Sequence, residues 1–184
     1  IGIFVTLINP DITEIQIKII AVGCCLLFMF VNIIGVKITG RLQVALVLTL
    51  IGLLLFYIFV GSQSVQPQRY TPFMPYGWGA LFSSVVLVFV SFGGITKIAC
   101  VAEEIKNPRR NIPLGMLLAF SVVMLLYAAV IFVTVGLLDV TELSNSLTPI
   151  SLGASTFMGN SGIVIFAFAA LLAFITTGNA GILT

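Results

Sequence analysis

The chain has 184 residues, of which 60% are hydrophobic and 8% are charged, and its formal net charge is +2 at pH 7. A water-soluble domain of this length cannot present so few charges to solvent, so the composition predicts a membrane protein. The few basic residues lie in short clusters between apolar runs, where membrane topology explains them, and they imply no nucleic-acid partner.

Five apolar stretches are long enough to cross a bilayer, which needs about 20 apolar residues for each helical span. They cover residues 15–36, 42–60, 79–102, 112–138 and 161–182. Residues 1–8 look like the tail of an earlier span, and turn-forming connections, the longest at 62–77 and 139–160, separate the five. The sequence predicts an all-α, polytopic transmembrane helix bundle, and we expect the chain to be a fragment of a longer one.

The basic residues indicate the orientation of the spans, because short loops rich in Lys and Arg stay in the cytoplasm. Lys37 and Arg41 lie between the first two spans, and Lys106, Arg109 and Arg110 lie between the third and fourth. Both connections fall on the same face, so we expect that face to be cytoplasmic.

The cysteines and the missing catalytic motifs argue against an enzyme. Cys24, Cys25 and Cys100 lie inside apolar runs without a CxxC spacing, and the sequence has no histidine. They are therefore interpreted as small buried hydrophobic residues, with neither a disulfide framework nor a metal site. The sequence also lacks a GxSxG elbow, an HExxH motif and a Walker loop, so no enzymatic activity and no cofactor are predicted.

A pair of glycines interrupts the third span. Gly93 and Gly94 follow Ser91 in the middle of the apolar run, where each Gly costs about 1 kcal/mol relative to Ala in a helix. Backbone groups freed at a break must line a cavity, and the two half-helix ends would suit the charges of a zwitterionic amino acid. Close packing of helices would equally explain the pair, and both readings stay open here.

Charged residues follow the glycine pair. Lys97 lies within the span, which makes it a functional candidate, although its long stem could also reach the cytoplasmic surface. Glu103 and Glu104 precede further basic residues and are interpreted as part of a surface network. Pro108 is expected to end the third span and Pro113 to lie in the first turn of the fourth, with a short, stiff loop between them.

The segment 89–113 is similar to the sixth transmembrane helix and following loop of the amino acid-polyamine-organocation permeases. Its motif is Phe-Val-Ser-Phe-Gly-Gly at 89–94, followed by Ala-Glu-Glu-Ile-Lys-Asn-Pro-Arg-Arg-Asn-Ile-Pro at 102–113. Residues 32–37 and 40–43 resemble the connection from helix four to helix five, and residues 176–181 resemble helix eight. The resemblance implies that the chain runs from the end of helix three to helix eight of a LeuT-like inverted-repeat fold with one discontinuous helix.

The resemblance also implies roles for individual residues. The broken segment would contact the substrate, through Phe89, Val90, Ser91, Phe92, Gly93 and Gly94. An ion-sensitive region would include Thr176, Thr177 and Asn179, with Lys97 as a further coupling candidate. The cytoplasmic loop motif comprises Glu103, Glu104, Asn107, Pro108 and Arg109.

Two positions depart from the family pattern. Thr96 stands where many relatives have a Glu after the glycine of helix six, and Leu50 stands where some proton-coupled relatives have a Lys. We hypothesise that Lys97 partly replaces these groups, which Lys97→Met would test through the pH dependence of uptake.

Together these features predict an integral permease of the plasma or inner membrane that moves amino acids or related amines by alternating access. Its partners would be the lipid bilayer, the small-molecule substrate, and H+ or Na+ as candidate coupling ions. A membrane-embedded scaffold or accessory subunit and a channel are the alternatives, since glycines also serve packing and an interrupted helix can line a pore.

Overall fold

The computed structural model describes residues 13, 15–16, 18–19, 22–23, 26, 36–71, 76–92 and 105–183. Within the three long stretches the chain forms six α-helices, and the described residues contain no β-strand. They are α1 (Val36–Gly61), α2 (Gly77–Ser91), α3 (Pro108–Leu137), α4 (Val140–Asn145), α5 (Pro149–Met158) and α6 (Asn160–Leu183). Two 3₁₀ turns, Ser62–Ser64 and Pro67–Tyr70, follow α1.

Three of the described helices are long and apolar enough to cross a membrane, at Gly40–Ser64, Pro108–Leu137 and Asn160–Gly181. For the described part of the chain, the prediction of an all-α transmembrane bundle is confirmed. These helices overlap the predicted spans 42–60, 112–138 and 161–182, and α2 covers the first part of 79–102. The remainder of that span, and most of 15–36, lie outside the described residues.

Helices α1 and α6 pack antiparallel and form the centre of the described bundle together with α3 and α5. Near the end of α1, the ring of Tyr57 meets that of Phe166 near the start of α6 edge-on, with a centroid distance of 5.2 Å. Near the start of α1, Gln43 reaches Thr176 near the end of α6. Van der Waals packing and interhelical hydrogen bonds stabilise such contacts in a membrane, because lipid tails are as apolar as the side chains that the contacts bury.

The side chain of Tyr57 is completely buried where α1 meets three other helices, α3, α5 and α6. Its hydroxyl lies 2.9 Å from Oγ1 of Thr134 on α3, and Thr134 Oγ1 itself donates to the carbonyl of Val130 at 2.7 Å. Because a threonine hydroxyl has one proton, Tyr57 must be the donor of the first bond. On the other side, Gly153 of α5 is so close that a Cβ atom there would lie 2.4 Å from the Tyr57 hydroxyl.

The turn-forming connection expected at 139–160 contains two short helices, which the sequence did not indicate. Helices α4 and α5 occupy most of it, and α5 buries Ser151, Gly153 and Ala154. Small residues allow this approach: a Cβ atom at Gly162 of α6 would lie 2.6 Å from the backbone oxygen of Ala154. The tight turn between α5 and α6 uses Gly159 at φ 61° and ψ −145°, a conformation that is essentially restricted to glycine.

The start of α3 also differs from the prediction, because the helix begins at Pro108 and residues 109–112 are helical rather than a loop. Asn107 adopts a left-handed conformation with φ 50°, which turns the chain into the helix, and its carbonyl accepts from the N–H groups of Arg110 and Asn111 at 3.1 Å each. Pro108 takes the first helical position, where its missing N–H costs nothing. Pro113 therefore lies inside α3 rather than in its first turn.

The segment 65–71 closes over the carboxyl end of α3, in an arrangement that we call the loop clasp (Gln66, Arg69 and Tyr70). The N–H of Gln66 donates to the carbonyl of Gly136 at 3.0 Å, the Arg69 guanidinium donates to the carbonyl of Leu137, and the Tyr70 hydroxyl donates to the carbonyl of Phe132 at 2.9 Å. The carbonyls of Gly136 and Leu137 are among the last four of the helix, which lack intrahelical partners and carry partial negative charge, so the Gln66 N–H and the Arg69 cation stabilise this end. Partial burial also raises the pKa of Tyr70, so its hydroxyl stays a donor at neutral pH.

We expect Arg69→Met to lower the free energy of unfolding by about 1 kcal/mol, because it removes a charge-assisted bond to a helix carboxyl end. The ion pair of Arg69 with Asp139, at 3.5 Å, adds little because the Asp139 side chain is largely exposed. Thermal unfolding in detergent measures the change. Arg110→Met, at the opposite end of α3, is the matched control, and equal midpoints for the two variants would contradict the assigned role.

Candidate functional site

The end of α2 carries the predicted substrate-binding segment. The helix ends at Ser91, and Phe92 forms a turn in which its N–H donates to the carbonyl of Phe89 at 3.1 Å. The Phe92 ring contacts the ring of Phe120 on α3, with a centroid distance of 5.4 Å and an angle of 54°, whereas the Phe89 side chain is 78% exposed. Val90 and Ser91 form the last helical positions, and Gly93 and Gly94 lie outside the described residues.

This helix end has a definite electrostatic character. An α-helix leaves its last carbonyl groups without intrahelical partners, which concentrates partial negative charge beyond its last residue. The N–H of Phe92 makes an i to i+3 bond to the carbonyl of Phe89 at this end. The partial negative charge at the end of α2 suits a donor such as an ammonium group, and it lies directly before the glycine pair in the chain.

A second polar cluster lies between α1 and α6, and we call it the amide bridge (Gln43, Thr176 and Asn179). The Gln43 Nε2 donates to the backbone carbonyl of Thr176 at 3.0 Å, and Asn179 Nδ2 donates to Gln43 Oε1 at 2.9 Å. Asn179 is 1% exposed and Thr176 is 7% exposed, whereas Gln43 is half-buried. A backbone carbonyl only accepts, so it determines the orientation of the Gln43 carboxamide and, through it, that of Asn179.

The two hydroxyls on this part of α6 are oriented alike but face different surroundings. Thr176 Oγ1 and Thr177 Oγ1 both donate to the carbonyl of Ala173, at 2.8 and 2.9 Å. Thr176 is buried and Thr177 is exposed, because consecutive residues of a helix point about 100° apart. With its proton committed to Ala173, the Thr177 oxygen presents lone pairs, which suit a cation or an N–H donor.

The predicted cytoplasmic loop motif is partly described. Asn107 and Pro108 form the start of α3, and the Asn111 side chain donates to the carbonyl of Lys106 at 2.5 Å. Arg109 is exposed in the first turn of α3. Glu103, Glu104 and Lys97 lie outside the described residues, so their predicted roles stay predictions.

The structure gives the two groups of predicted site residues different partners. Phe92 contacts α3, whereas Thr176 and Asn179 contact α1. Sequence reasoning assigned no role to Gln43, although a carboxamide in an apolar run is itself a signal, since buried polar groups in membranes need partners. Among the described residues, no group of three His, Cys, Asp or Glu side chains is arranged to hold a metal ion.

The described helices, with their membrane-length apolar runs, are those of an integral membrane helix bundle. The chain belongs to the amino acid permease family, which it matches over residues 1–184. This is a family of permeases rather than of enzymes, and the resemblance found in the motifs of segment 89–113 is confirmed. Family membership and apolar helices make the chain part of an integral protein of the cell membrane.

Several curated relatives are similar to the chain. An uncharacterized amino acid permease, YecA of Bacillus subtilis, is 32% identical over 168 residues, which cover 91% of the chain and 39% of the relative. The branched-chain amino acid permease BcaP of the same organism is 33% identical over 65% of the chain and 26% of the relative. The methylthioribose transporter of that organism is 35% identical over 70% of the chain and 28% of the relative. The chain thus spans well under half the length of these relatives.

Proposed function

We propose that the full-length protein is a secondary transporter that moves amino acids or related small amines across the cell membrane by alternating access. Family membership carries the proposal, and the names of relatives such as the branched-chain amino acid permease support the substrate class. The partial negative charge at the end of α2 adds a chemical reason, because it would attract the substrate's ammonium group.

In this proposal the two polar regions have separate tasks. The segment from Phe89 to Gly94 contacts the substrate. In the ion-sensitive region the lone pairs of Thr177 face the coupling ion, H+ or Na+, while Thr176 and Asn179 hold this part of α6 in place. Lys97 provides a further charge near the substrate segment. The motif of Glu103, Glu104, Asn107, Pro108 and Arg109 connects the substrate-bearing helix to α3 on the cytoplasmic side.

Uptake into proteoliposomes that contain the full-length protein tests the function. The probes are the twenty amino acids, putrescine, spermidine and methylthioribose, each radiolabelled and used singly. We expect saturable uptake of at least one probe, together with counterflow, in which an excess of unlabelled substrate inside accelerates the entry of label. Uptake that does not saturate would favour a channel, and no uptake of any probe would favour the scaffold.

A further inference from the structure

We propose that Gln43 is a positioning residue for transport. It holds the end of α6 against α1, so that Thr177 is presented on the face of α6 that points away from α1. The inference rests on the proposed function. It adds a residue on a different helix, which the sequence motifs of the substrate and ion regions do not include.

The amide bridge holds α6 from one side only. Gln43 binds the carbonyl of Thr176 and the side chain of Asn179, which are three residues apart and so lie on the same helical face. Two bonds to one carboxamide restrict both the sliding and the rotation of α6 relative to α1, whereas a single bond would leave a pivot. Thr177 and Gly178 are exposed on the other side, and no described atom lies within 4 Å of a Cβ atom built at Gly178.

The geometry indicates how the loss of the Gln43 bonds would change binding at Thr177. Rotation about the α6 axis by one residue position, about 100°, would turn the Thr177 oxygen away from its face. The hydrophobic effect gives little preference to one rotation of α6 over another, because lipid tails are as apolar as the side chains at the interface. The directional bonds of Gln43 add to packing in favouring one orientation, and their loss should weaken binding by a site that uses Thr177.

The test compares Gln43→Leu with Thr49→Val in proteoliposomes, using whichever of the twenty amino acids the wild-type protein takes up fastest. Thr49 is the matched control, because its hydroxyl is on the same helix, is exposed, and donates at 2.9 Å to the carbonyl of Ala45 in its own helix. The KM that is measured is that of the coupling ion, its half-saturating concentration for uptake, because Thr177 is the group that faces the ion. We expect Gln43→Leu to raise this KM about three- to twentyfold, the range for interhelical hydrogen bonds in membranes, and Thr49→Val to change it less than twofold. Misfolding lowers the maximal rate and leaves KM unchanged, so KM separates positioning from folding.

A conservative variant supplies a second readout. In Gln43→Glu, a protonated carboxyl keeps both bonds, whereas a carboxylate would face the carbonyl oxygen of Thr176. The KM of this variant should therefore approach the wild-type value at low pH and rise relative to wild type as the pH increases. The ionisable groups of α1 itself are Lys37, Arg41 and Tyr57. On the described elements around α1 they are the exposed Arg109, Arg110 and Tyr127 on α3, and Arg69 and Tyr70 beyond the other end of α1; α5 and α6 carry none.

The outcomes are distinguishable. If wild-type protein takes up substrate and both Gln43 variants match Thr49→Val in KM at every pH, the role of Gln43 is overturned and the proposed function stands. If Gln43→Leu does not fold, the pH dependence of Gln43→Glu decides. If wild-type protein shows no saturable uptake, the proposed function and this inference fall together.

Discussion

Thr177→Val is expected to raise the half-saturating concentration of the coupling ion about 10- to 100-fold, the range for losing one hydrogen bond to a charged group. Valine has the shape of threonine but lacks the oxygen whose lone pairs remain available beside the bond to Ala173. Because Thr177 is exposed within the described structure, we expect protein stability to change little. Uptake is measured against Na+ at constant pH and against pH at constant Na+.

Thr177→Ser is the control for this prediction, since it keeps the hydroxyl and removes only a methyl group. We expect it to retain the ion dependence of the wild-type protein. Equal ion dependence in the serine and valine variants would contradict a role for the hydroxyl. Wild-type uptake that depends on neither ion would also count against it, and would favour exchange.

Gly153→Ala is expected to lower the free energy of unfolding by about 2 kcal/mol, within the range for overpacking a filled core. The new Cβ atom would lie 2.4 Å from the Tyr57 hydroxyl, which is much closer than real contacts. The Tyr57 ring cannot move aside freely, because it packs against Phe157 and Phe166 and its hydroxyl donates to Thr134. Thermal unfolding in detergent measures the loss.

Tyr57→Phe provides a direct check, because it removes the atom with which the new methyl group collides. Alone it should cost about 1 kcal/mol through the lost bond to Thr134. Combined with Gly153→Ala it should cost clearly less than the sum of the two single changes, since residues in contact are not additive. Strict additivity of Tyr57→Phe and Gly153→Ala would show that the contact between these two residues does not restrict this site.

Gly52→Ala is the control for Gly153→Ala. At this position no described atom lies within 4 Å of the new Cβ atom, so the change should be neutral or stabilising by up to about 1 kcal/mol.

The predictions from sequence succeeded where the signal is local. Apolar runs of sufficient length indicated helices at positions that α1, α3 and α6 now occupy, because the hydrophobic length of a span depends on composition alone. The sequence did not indicate the helices within the connection 139–160, because α5 consists of small and mixed residues whose burial depends on a neighbouring helix. It also misplaced the start of α3, since the left-handed turn at Asn107 has only a weak signature in sequence.

The candidate site shows the same difference between residues that a local motif indicates and residues that only helix packing brings together. The sequence indicated Thr176, Thr177 and Asn179 as candidates through a motif of six consecutive residues, whereas Gln43 is separated by 133 residues from the carbonyl that it binds. Neither the apolar pattern of α1 nor that of α6 indicates which faces meet, because both helices are hydrophobic nearly all round.

By itself, the sequence determined that this is a membrane protein of the amino acid permease family, because hydrophobic length and contiguous motifs can be read along the chain. Only the tertiary structure decided which polar groups satisfy one another, as in the bonds of Gln43 to α6 and of Tyr57 to Thr134. The reason is that a polar side chain in an apolar interior must find a partner, but the partner is chosen by how the helices pack and not by distance along the chain.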